Sequence, residues 1–200
     1  MTPHVLGIAL IATSFAANPA WADSIDTSGQ ALWERCGYCH GIDGVSGNPR
    51  FPHLAGQRED YLRKQLRDFR DGRRRNDDGI MATQAEGLDS ATIEQLVAHF
   101  ASQTPAVTTA PVSATGGTLY DQGDQGRGIP PCRSCHGSQE QVAKLAGQHA
   151  EYLAKQLDDF ARKRRTNAPE ETMDVIAGKL TAGERQQIAA FLAGMGCENH

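Results

Sequence analysis

Aromatic residues are scarce in this chain, 6 % of 200 residues, whereas glycines number 21. Cores built from such material are thin, and two small ones would gain much from a large apolar cofactor. Long apolar runs are also missing: the longest, Val5 to Ala17, is about 13 residues, short of the roughly 20 that a membrane-spanning helix needs. No stretch alternates apolar and polar residues well enough to make a sheet. An excess of positive charge is absent as well. The formal balance is −4, which argues against nucleic acid as a partner.

What is present begins with that apolar run. It ends in Ala20-Trp21-Ala22, with small residues at the two positions a signal peptidase reads. The expectation is a signal peptide over residues 1–22, cleavage after Ala22, and a mature protein starting at Asp23 in the periplasm. The n-region Met1-Thr2-Pro3-His4 departs from the usual pattern, having no Lys or Arg beside its terminal amine.

Five cysteines in an exported chain invite a disulfide framework, but four of them stand as Cys36-Gly37-Tyr38-Cys39-His40 and Cys132-Arg133-Ser134-Cys135-His136. In Cys-x-x-Cys-His the two thiols add across the vinyl groups of a haem, and the adjacent imidazole then lies under the ring as proximal iron ligand. The rivals are weaker. A zinc site made from both cysteine pairs leaves the repeated histidines unexplained. A thioredoxin-like pair belongs beside a βαβ pattern, and none is visible. Disulfides within either pair would close very short loops of little stabilising value. Cys36, Cys39, Cys132 and Cys135 are therefore expected to hold two haem c groups, with His40 and His136 on iron. Cys197, near the end, reads as a leftover thiol available for pairing between molecules.

The motifs belong to a repeat. Leu54-Ala55-Gly56-Gln57 recurs 91 residues on as Leu145-Ala146-Gly147-Gln148, and Tyr61-Leu62-x-Lys64-Gln65-Leu66-x-Asp68-Phe69 recurs as Tyr152-Leu153-x-Lys155-Gln156-Leu157-x-Asp159-Phe160. The haem motifs are offset by 96, so the length differences fall between sites and helices, where duplicated domains vary. Thr104 to Gly117, rich in Thr, Pro, Ala and Gly, reads as an extended linker. The expected division is 23–112 and 113–200. Each half reads as helical. Leu62, Leu66 and Phe69 make an i, i+4, i+7 stripe ended by Gly72, and a second helix starts near Asp89 or at the capping box Thr181-x-x-Glu184. Ile93, Leu96, Val97 and Phe100, then Ile188, Phe191 and Leu192, form the inner faces of those second helices. The fold class is all-α, two tandem domains each expected to wrap around one covalently bound haem.

A six-coordinate haem needs a second ligand. Met81 and Met173 stand in the irregular stretch between the two helices of their own halves, 41 residues after His40 and 37 after His136 respectively. Both are expected on iron, where thioether sulfur favours the reduced state. Met195 has no counterpart and reads as packing. His53, His99 and His149 match Lys144, Phe191 and Arg58 in the other half, so each reads as a surface or structural residue.

Taken together, Cys-x-x-Cys-His-Gly, Leu-Ala-Gly-Gln, Tyr-Leu-x-Lys-Gln-Leu-x-x-Phe and a late Met, all present twice, resemble the dihaem cytochrome c4 family over essentially the whole mature chain. The resemblance implies two class I cytochrome c folds with His/Met ligation, His40 with Met81 and His136 with Met173, and haem propionates near the domain interface. It also implies a carbonyl accepting a hydrogen bond from each proximal imidazole. Pro52 fits that place in the first half, and Ala143 stands there in the second. Residues 121–128 insert a glycine-rich segment before the second motif, where they would shape the approach to that haem. The basic runs Arg73-Arg74-Arg75 and Lys163-Arg164-Arg165 have two readings: solvated helix ends suited to the dipole, or, for Arg74 and Arg165, compensation of propionate charge.

With both axial positions filled, the expected role is that of a soluble electron carrier and not an enzyme. The resemblance points to a membrane terminal oxidase as acceptor and a quinol-oxidising complex as donor, with which peripheral membrane association is compatible. The alternative is a haem subunit or enzyme, such as a dihaem peroxidase, a thiosulfate-oxidising cytochrome or the electron-accepting subunit of a dehydrogenase.

Overall fold

The computed structural model describes residues 31–108 and 114–196; the expected signal peptide, the boundary near Ser113 and Cys197 lie outside them. Among the described residues the chain is helical: α1 (Leu32–His40), α2 (Glu59–Arg70), α3 (Ile80–Ala85), α4 (Ser90–Ala101), α5 (Ala114–Gln122), α6 (Arg133–His136), α7 (Ala150–Ala161), α8 (Thr172–Lys179) and α9 (Ala182–Gly194). An isolated extended bridge joins Asp124 and Ile129.

Two apolar clusters form. Leu62 on α2 meets Ile93, Leu96, Val97 and Phe100 on α4, and Leu153 on α7 meets Tyr120, Leu180, Ile188 and Leu192 around α9. The helices start where their caps dictate. Asp89 accepts the Thr92 N–H at 2.7 Å, and Thr181 and Glu184 form the reciprocal box. Gly72, at φ +70°, carries the chain away from the end of α2. Met195 packs against the second cluster.

Two expectations change. Residues 114–117 are not extended linker but the start of α5, which packs on α9. Gly116 is small there because a Cβ would stand 2.2 Å from the Gln187 carbonyl oxygen, so close helix approach explains it better than flexibility. Met81 and Met173 sit in the short helices α3 and α8 rather than in irregular chain. The glycine-rich insert is pinned: Arg127 bridges Asp124 and Glu184, the latter at 2.7 Å, and Gly123 and Gly128 take positive φ at its ends.

Candidate haem-binding sites

In the first half α1 carries Cys36, Cys39 and His40 on one continuous helix. In the second half the insert divides the equivalent stretch into α5 and the four-residue α6, which ends at His136. Both histidines are oriented alike: Nδ1 of His40 meets the Pro52 carbonyl at 2.9 Å, and Nδ1 of His136 meets the Ala143 carbonyl at 2.8 Å. A carbonyl acceptor fixes the proton on Nδ1 and turns Nε2, the metal-binding nitrogen, away from the chain. Burial pushes both imidazoles below their ordinary pKa, holding them in the neutral form that binds a metal. Cys36 and Cys132 are thiols whose pKa is raised by burial, that of Cys132 to about 11.

Met81 is half-buried near the start of α3, its N–H bonded to the Asp77 carboxylate. Met173 is half-buried near the start of α8. The short helix of each half packs on the long one, α3 on α2 and α8 on α7. Histidine and methionine of each half thus stand on separate elements.

The donor set fits a covalently attached haem. Among the described residues no three His, Cys, Asp or Glu side chains converge on a bare ion. Each half instead offers two thiols and an imidazole already aimed by its carbonyl.

Between the halves runs a polar seam with approximate twofold symmetry. The Gln148 side chain engages both backbone groups of His53 at 2.9 Å, and Gln57 does the same for Lys144 at 2.9 and 2.7 Å. Deeper in, Arg74 donates to Gln65 at 2.8 Å, Gln156 at 3.0 Å and the Tyr152 hydroxyl at 3.1 Å. Arg165 mirrors it, donating to Gln156 at 2.9 Å, Gln65 at 3.1 Å and the Tyr61 hydroxyl at 3.3 Å. Each guanidinium lies over the phenylalanine of its own half, Phe69 or Phe160, 4.5 and 4.6 Å from the ring centroid. Asn76 donates to Asp159 and Asn167 to Asp68, both at 2.6 Å. Burial alone would raise the pKa of Asp68 and Asp159, but hydrogen bonds from lysine, arginine and asparagine hold both below the usual aspartate value.

The basic runs therefore divide. Arg73, Arg75, Lys163 and Arg164 are exposed, whereas Arg74 and Arg165 are buried and form no ion pair among the described residues. His53 and His149 are structural, their half-buried rings meeting across the seam with centroids 4.0 Å apart. His99 is structural, stacked on Trp33 at 4.8 Å. The seam residues other than the arginines were not singled out as functional in the sequence. The signal was there, because Gln57, Tyr61, Gln65 and Asn76 recur as Gln148, Tyr152, Gln156 and Asn167 although none is apolar.

A helical fold with two carbonyl-oriented histidines, each directly after a Cys-x-x-Cys pair, defines a c-type cytochrome. Comparison with known proteins agrees. The cytochrome c family profile matches residues 27–104. A cytochrome c4 from Pseudomonas aeruginosa is 36 % identical over 197 residues, covering 94 % of this chain and 97 % of that one. A thiosulfate dehydrogenase electron acceptor from Thiomonas intermedia is 34 % identical, covering 95 % and 90 %. Among solved structures, reduced recombinant cytochrome c4 from Pseudomonas stutzeri superimposes with a TM-score of 0.73 at 34 % identity, covering 82 % of this chain and 96 % of that one. The chain belongs to the cytochrome c4 family. It is a dihaem c-type cytochrome, an electron-transfer protein, with both Cys-x-x-Cys-His motifs in place.

Proposed function

We propose that the chain is exported by a signal peptide over residues 1–22, matures as two domains of residues 23–112 and 113–200, and carries electrons in the periplasm to a membrane terminal oxidase. Cys36 and Cys39, then Cys132 and Cys135, form the thioethers; His40 with Met81 and His136 with Met173 are the axial pairs. The observation that carries this reading is the duplicated histidine geometry, a neutral ring fixed through Nδ1 with Nε2 free for iron in each half. When bound, haem supplies a one-electron couple on iron. The chain's own part is to hold each imidazole in one tautomer and orientation, to keep the cavity dry, and to set the spacing of the halves through the glutamine clasps. The buried cations support a place for anionic groups at the seam: Arg74 and Arg165 meet neutral acceptors there, and haem propionates would compensate them.

The test is the optical spectrum of the ferric protein. Two low-spin haems with methionine charge-transfer absorption, and no binding of cyanide at low concentration, are expected. A high-spin haem would overturn His/Met ligation at that centre and favour chemistry over transfer. A second acceptor role has its own support. The Thiomonas intermedia relative is called a thiosulfate dehydrogenase electron acceptor and aligns over nearly the whole chain, so electrons from a sulfur-oxidising dehydrogenase are a second source beside a quinol-oxidising complex. Reduction of the oxidised protein by such a dehydrogenase with thiosulfate, compared with reduction by a quinol-oxidising complex, separates the two.

A further inference from the structure

The seam's twofold symmetry fails at one pair of positions. Arg58 in the first half corresponds to His149 in the second, each directly following the clasping glutamine and each standing at the N-cap of its long helix. A cation at a helix N-terminus opposes the helix dipole, and Arg58 makes no side-chain capping bond there. Its guanidinium reaches across the seam instead. Nη1 donates to the carbonyls of His136 at 3.1 Å and Val142 at 2.9 Å, and Nη2 to those of His136 at 3.1 Å and Gly137 at 3.0 Å.

The loop length makes this reach available. Twelve positions separate His40 from its carbonyl acceptor, but only seven separate His136 from its own. The shorter loop brings its first and last carbonyls within the span of one guanidinium. In the first half the longer loop receives no guanidinium among the described residues: the Ser46 hydroxyl donates to the Cys39 carbonyl at 2.8 Å, and the His149 ring meets the Ser46 carbonyl at 3.0 Å. Arg58 is buried, 7 % exposed, and no carboxylate pairs with it among the described residues. Its charge is thus fixed, weakly screened and directed at the histidine loop of one half only.

We infer that Arg58 is a positioning and tuning residue supplied by the first half to the second haem, raising that haem's tendency to stay reduced and so setting the direction of electron flow within the molecule. The sign follows from charge: ferrous haem carries one positive charge less than ferric, so a nearby fixed cation favours it. The inference rests on the reading of His136 as proximal ligand.

The test uses the full-length, haem-loaded protein, titrated spectroelectrochemically at pH 8, where ordinary imidazoles are neutral. Met173→His first marks the second haem's transition. If that change moves neither transition, the ligand reading fails and the inference falls with it. Arg58→Gln is then expected to lower the ferrous-to-ferric ratio of the marked haem by on the order of tenfold at a given potential, about 59 mV for one electron. The other haem should move much less. Arg58→Lys keeps the charge but cannot span three carbonyls, and should restore most of the shift. Arg75→Gln removes an exposed cation of the same half and should leave both transitions in place. If Arg58→Gln leaves both potentials unchanged with two haems bound, or shifts both equally, Arg58 is not the tuning group. If Arg58→Lys falls as far as Arg58→Gln, the effect is one of loop geometry and the charge assignment is wrong.

Discussion

The two halves solve the same problem with different amounts of chain. The first runs its haem motif along one nine-residue helix, α1, and returns through a long loop. The second interrupts the helix with a pinned insert, keeps only α6 around its motif, and returns through a short loop. The histidine–carbonyl geometry survives both routes to within 0.1 Å, 2.9 against 2.8 Å. The two halves share the orientation of one imidazole and differ in the covalent path to it. The long-range environment does vary: one loop closes on a serine hydroxyl and an imidazole, the other on a guanidinium.

The most drastic way to break the comparison is to remove one haem. Cys36→Ala with Cys39→Ala should leave one covalent haem by intact mass and destabilise the first half by more than about 5 kcal/mol, beyond the loss of a single large core side chain. Two haems remaining would refute the attachment sites. Next, Met81→His and Met173→His should each lower one redox transition while the iron stays low-spin, because imidazole favours ferrous iron less than thioether does. Small shifts at the unmutated centre are expected from coupling; an unchanged pair of potentials would remove that methionine from the iron.

A smaller and one-sided effect is expected from Gly116→Ala. The added methyl would meet the Gln187 carbonyl of α9, costing the second half about 1–3 kcal/mol. Calorimetry should show the second half weakened and the first unchanged; an undisturbed transition would mean that α5 and α9 are not so closely packed. Asn76→Ala and Asn167→Ala, related by the seam's symmetry, should each cost about 1–2 kcal/mol for a lost charge-assisted hydrogen bond. Denaturation that finds one far costlier than the other would show that the seam is symmetric in geometry only.

The gentlest perturbation is pH. In the folded protein His53 has its pKa lowered to about 4, first by burial and then by His149. A histidine with a depressed folded pKa is more easily protonated when unfolded, so stability is full above pH 6.5 and falls as pH drops from there to about 4. Solvent screening at this half-exposed ring limits the loss to on the order of 1 kcal/mol. His53→Gln should flatten that part of the stability–pH curve, and an unchanged slope would assign it to other groups. Below the ordinary aspartate value of 3.8 a further loss follows, as Asp68 and Asp159 protonate and release their partners.

Much of this arrangement was legible in the sequence because it is written in local terms. Cys-x-x-Cys-His needs five consecutive residues, and the stripe Leu62, Leu66, Phe69 needs one helix. The caps at Asp89 and Thr181 need one turn each. What was not legible depends on the other half. Gln65 and Asp68 lie beside that stripe on α2 and are buried like it, yet polar residues at helical spacing read as a solvated face until a second copy covers them. His53 and His149 have no matching histidine in the repeat, and only the twofold relation between halves brings such inequivalent positions together. The glycines at 116 and 117 misled for a related reason, since a tight helix crossing and a flexible linker use the same residue. Of the basic runs, sequence could give the location but not the division between buried and exposed members.

The glutamine clasps have a mechanical consequence. Each side-chain amide accepts from a backbone N–H and donates to a backbone carbonyl of the same residue opposite, which is how one strand of a sheet addresses another. A contact of that kind tolerates little sliding: displaced by an ångström or two, both bonds of a pair are lost together. Apolar surfaces, by contrast, can creep while staying buried. The two halves are therefore held in register like the teeth of a gear rather than the faces of a friction joint. Electron tunnelling falls steeply with distance, so such a joint gives the molecule one engaged geometry and no continuum of slower ones.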